Sequence, residues 1–132
     1  MIGLDTNVIL RCFIDDEPSQ AKAARRFVAE HCTQENPGFI DGVALCELIW
    51  VLSSGYRFDR KRTATVITTL LASHDIVFED DNAVRAPLQI FVARNSDFAD
   101  ALIGEVNRLH GCDATATFDR KAAKLDGFIL VS

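Results

Sequence analysis

The hydrophobic pattern changes period repeatedly along the chain. Residues 2–4 form a short apolar stretch that predicts a buried strand, cut off at once by Asp5. Thr6–Phe13 predicts a short helix with Asp5 placed to cap it. Asp15-Asp16-Glu17-Pro18 predicts a turn and a helix start, with acids near the positive end of the helix dipole and proline in the first turn. Ala21, Ala24, Phe27, Val28 and His31 then recur at helical spacing. Asn36-Pro37-Gly38 breaks that helix, and Phe39 and Ile40 form a brief strand. Asp41 is placed to cap a helix to about Ser54, with Gly55 as its stop. A further helix opens at Asp59 and runs to about Ser73, and Ile76–Phe78 predicts a strand. Asp81 or Asn82 caps a helix to about Arg94, and Ser96 or Asp97 starts another that ends near His110-Gly111. Two last strands, 114–118 and 128–131, are separated by a short basic helical turn at 120–124.

Short strands alternating with helices predict an α/β fold with a parallel sheet covered on both faces. Five strands are expected. The 132 residues fit one domain able to bury its own core, and 48% hydrophobic with 25% charged residues is ordinary globular composition. No apolar run reaches the length a membrane span needs, and the N-terminus lacks a basic segment before an apolar one, so a soluble cytoplasmic protein is expected. Cys12, Cys32, Cys46 and Cys112 form no CxxC pair, and buried reduced thiols are expected rather than a disulfide or zinc framework.

Four acids stand where chemistry is plausible. Asp5 and Asp119 each follow a strand-like stretch, and in open parallel sheets ligands bind at the carboxyl ends of strands. Capping the next helix is the competing role for each, and the two roles are compatible. Glu47 is the one charge within residues 43–52, a stretch apolar on every helical face, which predicts a buried helix and a buried carboxylate. An isolated buried carboxylate is costly unless paired, protonated or metal-bound. That reading also predicts that Glu47→Gln stabilises the metal-free protein. Asp100 lies at the edge of a stripe formed by Phe98, Ala99, Leu102, Val106 and Leu109, with Asp97 on the same face one turn earlier. Thr6, Asn7 and Thr117 accompany these acids and could support them as outer polar groups. Hard oxygen donors without His or Cys suit Mg²⁺ or Mn²⁺, and such a pocket is suited to attack of water on a phosphodiester.

These residues, in this order, resemble the PIN domain, and within it the VapC-type toxin ribonucleases of prokaryotic toxin–antitoxin pairs. Leu4-Asp5-Thr6-Asn7 resembles the first motif of that family, Glu47 within 43–52 the second, 97–103 the third with Asp100 at its main acidic position, and Thr117-Phe118-Asp119 the fourth. The resemblance covers the whole chain. It implies a three-layer α/β/α sandwich with a parallel five-stranded sheet, and a Mg²⁺- or Mn²⁺-dependent endoribonuclease. Asp5, Glu47, Asp100 and Asp119 would be the catalytic metal ligands, with Thr6, Asn7, Asp97 and Thr117 as auxiliary groups. It further implies an RNA substrate, a homodimer and a small antitoxin whose tail lies across the site. The net charge of −5 departs from what an RNA binder favours, as does Phe118 where many relatives carry a polar residue. Arg11, the basic cluster at 57–62, Arg94, Arg108, Arg120 and Lys121 are the available cations.

A phosphoacceptor receiver would need paired acids after the first strand, where Asp5 stands alone, and a phosphatase of the haloacid dehalogenase type would need an acid at position 7, which is Asn. The remaining alternative is a PIN-like module that binds RNA or protein in RNA processing with weak or no catalysis.

Overall fold

A computed structural model describes residues 1–132. The chain divides into two compact units, Met1–Asp81 and Asn82–Ser132.

In the first unit, β1 (Ile2–Gly3), β2 (Gly38–Ile40) and β3 (Ile76–Phe78) form a parallel sheet in that order. Ile2 pairs with Gly38, which pairs in turn with Ile76, so β2 is the central strand. The crossover from β1 to β2 carries α1 (Thr6–Phe13) and α2 (Pro18–His31), which pack against each other. The crossover from β2 to β3 carries α3 (Gly42–Trp50), a π-helical turn (Val51–Gly55) and α4 (Arg60–Ala72). Ile9, Leu10, Ile40, Leu45, Leu48, Leu52 and Ile67 are among the buried apolar residues of this unit. Gly38 sits tightly among side chains: a Cβ there would lie 2.7 Å from Leu4 Cδ1, 3.0 Å from Ile76 Cδ1 and 3.1 Å from Cys32 Sγ. Glycine is therefore what lets the central strand pass between its neighbours.

Caps fix several helix starts. Asp41 Oδ1 accepts the Ala44 N–H at 2.8 Å and Asp59 Oδ1 accepts the Arg62 N–H at 2.7 Å, as their positions in the sequence predict. The α1–α2 loop is tied to the end of the π-helical turn, where the Tyr56 hydroxyl donates to Asp16 Oδ2 at 2.7 Å and Arg11 pairs with Asp16.

The second unit contains most of α5 (Asp81–Ala93), α6 (Phe98–Leu109), β4 (Thr115–Thr117), one 3-10 turn (Ala122–Lys124) and β5 (Phe128–Leu130). β4 and β5 pair in parallel, Thr115 with Phe128 and Thr117 with Leu130. α6 packs on β4, and Gly104 in its middle gives way to the Phe128 ring, whose Cε2 would lie 2.5 Å from a Cβ there.

All five expected strands are present and each pairs in parallel, but the hydrogen bonds make a sheet of three and a separate sheet of two rather than one sheet of five. The strands are only two or three residues long. Such strands offer few backbone groups for a ladder, and β1 has only Ile2 and Gly3, which pair with β2. The four cysteines are free thiols, of which Cys32 is buried, Cys12 and Cys46 are half-buried and Cys112 is exposed. Burial raises the Cys12 and Cys32 thiols above their ordinary pKa.

Candidate functional site

Asp5 stands at the N-cap of α1 in extended conformation, and its side chain makes no capping hydrogen bond. The cap is a backbone one, with the Asp5 carbonyl accepting from Val8 N–H at 3.0 Å and Ile9 N–H at 3.2 Å. The exposed Asp5 carboxylate is thus not used to cap the helix. Thr6 is 2% exposed, and its hydroxyl donates to the Ala44 carbonyl of α3 over a long 3.5 Å. It ties the start of α1, where Asp5 sits, to α3 one turn before Glu47. Asn7 is exposed.

Glu47 does not lie where the sequence pattern predicts. α3 buries Leu45, Leu48 and Ile49, but its outer face carries Val43, Glu47 and Trp50, with Val43 80% and Trp50 67% exposed. Glu47 is exposed as well. The apolar outer face of the helix reaches solvent, so Glu47 is not the buried carboxylate that its apolar neighbours imply.

In the second unit, Asp97 is the N-cap of α6. Its Oδ1 accepts the Ala99 N–H at 2.8 Å and the Asp100 N–H at 3.3 Å. Asp100 follows within the first turn and is half-buried. Its carboxyl is pushed above the ordinary aspartate pKa by burial first, then by the charges of Asp97 and Asp119, with Lys121 acting in the opposite direction. Phe98, Ala101 and Leu102 form the buried side of this helix, while Leu109 of the expected stripe is 43% exposed.

Asp119 terminates the loop after β4. Its Oδ1 accepts Lys121 N–H at 2.8 Å and Ala122 N–H at 3.0 Å, capping the 3-10 turn. Its own N–H donates to Thr117 Oγ1 at 3.0 Å. Both turn bonds use one oxygen of the carboxylate, which leaves Oδ2 for a ligand. Thr117 therefore supports Asp119 through the backbone.

Within the second unit, Asp97, Asp100, Asp119 and Thr117 are linked by hydrogen bonds and mutual electrostatics. Within the first, Asp5, Thr6 and Glu47 are linked through the α1–α3 contact. Nowhere does the chain draw three or more His, Cys, Asp or Glu side chains into a metal-binding group. The donor chemistry nevertheless fits a hard divalent cation: every candidate donor is a carboxylate, and Asp100 faces two like charges that a cation would relieve. Among the expected cations, Arg11 is engaged with Asp16, Arg108 with Glu105, and Arg62 lies 3.8 Å over the Phe58 ring. Trp50 is the residue that sequence reasoning passed over. A single tryptophan within a core-like apolar run gives no signal that its side chain faces water.

No helix is long and apolar enough to cross a membrane. Over 129 residues the chain is 26% identical to a VapC ribonuclease of Aquifex aeolicus (strain VF5), an alignment that covers 98% of this chain and 94% of that protein. Residues 2–128 match the PIN domain family, a span that takes in all four motif positions. The chain belongs to the PIN domain family.

Proposed function

We propose that this protein is a metal-dependent endoribonuclease, the toxin of a toxin–antitoxin pair, that hydrolyses RNA phosphodiesters through Asp5, Glu47, Asp100 and Asp119. The observation that carries this reading is Asp100, a half-buried carboxyl raised by burial and by Asp97 and Asp119. Perturbed carboxyls held close to like charges cluster at functional sites. The carboxylates of Asp5 and Glu47 and one oxygen of Asp119 are likewise not used in helix caps or ion pairs. Family membership and the similarity to a VapC ribonuclease point the same way.

On this reading the four carboxylates hold Mg²⁺ or Mn²⁺, with Thr6, Asn7, Asp97 and Thr117 supporting them. Such an ion lowers the pKa of water and offsets charge on the phosphate. Asp97 fixes the first turn of α6 and so positions Asp100. Thr117 holds the Asp119 backbone, and Thr6 holds the start of α1 against α3. The reading carries with it one PIN domain over residues 1–132. It also carries a homodimer, a small inhibitory antitoxin and a cytoplasmic location.

The test is cleavage of structured and single-stranded RNA by the purified protein with Mg²⁺, Mn²⁺ or EDTA, beside the Asp5→Asn variant. Metal-dependent cleavage that disappears in the variant is the expected result. Cleavage retained by folded Asp5→Asn protein would overturn the assignment. Metal binding without cleavage of any RNA would favour a PIN-like binding module.

A further inference from the structure

A cavity of about 80 Å³ opens within the second unit, between α5, α6 and the segments that precede β4 and β5. None of Asp5, Glu47, Asp100 and Asp119 lines it. It reaches β4 at Thr115, the first residue of that strand, whereas Asp119 lies beyond the last. Its walls are apolar: Pro87 of α5, Ala101 of α6, Leu125 and the Phe128 ring, which closes against α6 where Gly104 has no Cβ. Its rim is charged. Arg108, the one cation there, is held by Glu105 through two hydrogen bonds, Nε to Oε2 at 3.0 Å and Nη2 to Oε1 at 2.7 Å. Asp113 and Asp126 are exposed, and their carboxylates take no hydrogen bond or ion pair. Two uncompensated negative charges therefore flank an apolar recess.

We propose that this cavity docks a basic peptide segment, seating one branched apolar side chain against Leu125 and Phe128 while a neighbouring Lys or Arg meets Asp113 and Asp126. It is a second binding surface, and it does not depend on the ribonuclease reading. Size selects the apolar group. The cavity has roughly half of the 150 Å³ that holds a benzene, so it takes about four carbon atoms, the branched end of a leucine or valine. A cofactor or other ligand of that class needs about 300 Å³ or more. Charge selects what stands beside the apolar group. An RNA phosphate or an acidic peptide would meet Asp113 and Asp126 as like charges. Arg108 does not offset them, because Glu105 already engages it. A polyamine would satisfy the carboxylates but leave the apolar walls against water. A cationic residue next to a branched apolar one satisfies both, as an apolar anchor does inside a polar rim.

The experiment records amide proton–nitrogen correlation spectra of the full-length protein in EDTA during titration with acetyl-Arg-Leu-Arg-amide. Acetyl-Glu-Leu-Glu-amide and acetyl-Arg-Gly-Arg-amide are the controls for charge and for the apolar anchor. Saturable shifts centred on the amides of Thr115, Gly127 and Phe128 are expected with the Arg-Leu-Arg peptide, and both controls should bind at least about 5-fold more weakly. The double variant Asp113→Asn, Asp126→Asn changes two exposed positions and should keep the parent fold, seen as a parent-like spectrum. It should bind the Arg-Leu-Arg peptide about 5-fold more weakly and with less dependence on salt. Either control binding as tightly as the Arg-Leu-Arg peptide would overturn the proposal, as would the double variant binding as tightly as its parent. Shifts confined to residues outside the cavity, or no saturable shift up to about 10 mM peptide, would overturn it as well. All of these outcomes leave the ribonuclease reading untouched.

Discussion

Asp97 Oδ1 accepts the backbone N–H of Asp100 at 3.3 Å, and the same carboxylate contributes to raising the Asp100 pKa. One residue thus holds the first turn of α6 in place and adds to the burial that makes Asp100 costly to ionise. That arrangement suits an acid whose charge is to be met by a cation rather than by solvent.

A pH-dependent prediction follows for Asp100→Asn. A carboxyl whose folded-state pKa is raised adds to stability below its unfolded value, about 3.9, and loses that contribution as pH rises through the folded-state value. The advantage of Asp100→Asn over the parent, measured without metal, should therefore be small in acid and grow to a plateau at neutral pH. Because Asp100 is partly exposed, solvent screening limits the plateau to about 1 kcal/mol or less. Thermal melts in EDTA at acid and neutral pH check this. Added Mg²⁺ or Mn²⁺ should stabilise the parent by mass action and leave the variant unchanged.

Glu47→Gln gives a different outcome. The burial expected from sequence would have made this change stabilising, but Glu47 is exposed. The variant should melt within about 0.5 kcal/mol of the parent in EDTA, as surface substitutions do. Its metal-dependent cleavage should fall at least about 100-fold if Glu47 is a ligand, since even outer-shell residues of metal sites cost 10- to 100-fold. An unaltered cleavage rate would remove Glu47 from the site.

Thr117 can be separated into its hydroxyl and its methyl. Thr117 Oγ1 accepts the Asp119 N–H at 3.0 Å. Thr117→Val removes that acceptor and Thr117→Ser keeps it. Cleavage by the Val variant should fall by about 10-fold, the lower end of the range for groups that orient metal ligands. The Ser variant should stay near the parent. Equal loss in both would point to packing of the methyl group instead.

The alternation of elements was legible in the sequence because its punctuation is strong. Asp41, Asp59 and Asp97 cap the helices they precede, and Asn36-Pro37-Gly38 separates α2 from β2. Hydrophobic period also marked the strands to within a residue or two. What it could not reveal was how strands of two or three residues divide between sheets, since pairing depends on backbone partners far along the chain. The pattern misled at Glu47 for a related reason. Val43 and Trp50 are as apolar as Leu45 and Leu48, so a helix with an apolar outer face reads like a buried one. The acids themselves were visible as motifs, but the Asp100 pKa is raised by burial first, then by Asp97 and by Asp119 nineteen positions away, and only the fold supplies the burial and brings Asp119 near.

The tight surroundings of Gly38 connect the sheet to Asp5. A methyl group at position 38 would lie 2.7 Å from Leu4 Cδ1, and Leu4 is buried directly before Asp5. Ile76 Cδ1 and Cys32 Sγ crowd the same position at 3.0 and 3.1 Å, so three packed side chains must give way together. Gly38→Ala should therefore destabilise the protein by about 1–3 kcal/mol, the usual cost of overpacking. Urea denaturation would measure it. Leu4→Ala alone should also be destabilising, because it empties buried volume. The two changes in one chain should cost less than the sum of the singles, since the methyl lost at Leu4 makes room for the methyl gained at Gly38. Strict additivity would mean that the Gly38 side of β2 yields elsewhere, and that Leu4 and Asp5 are not held in place by this contact.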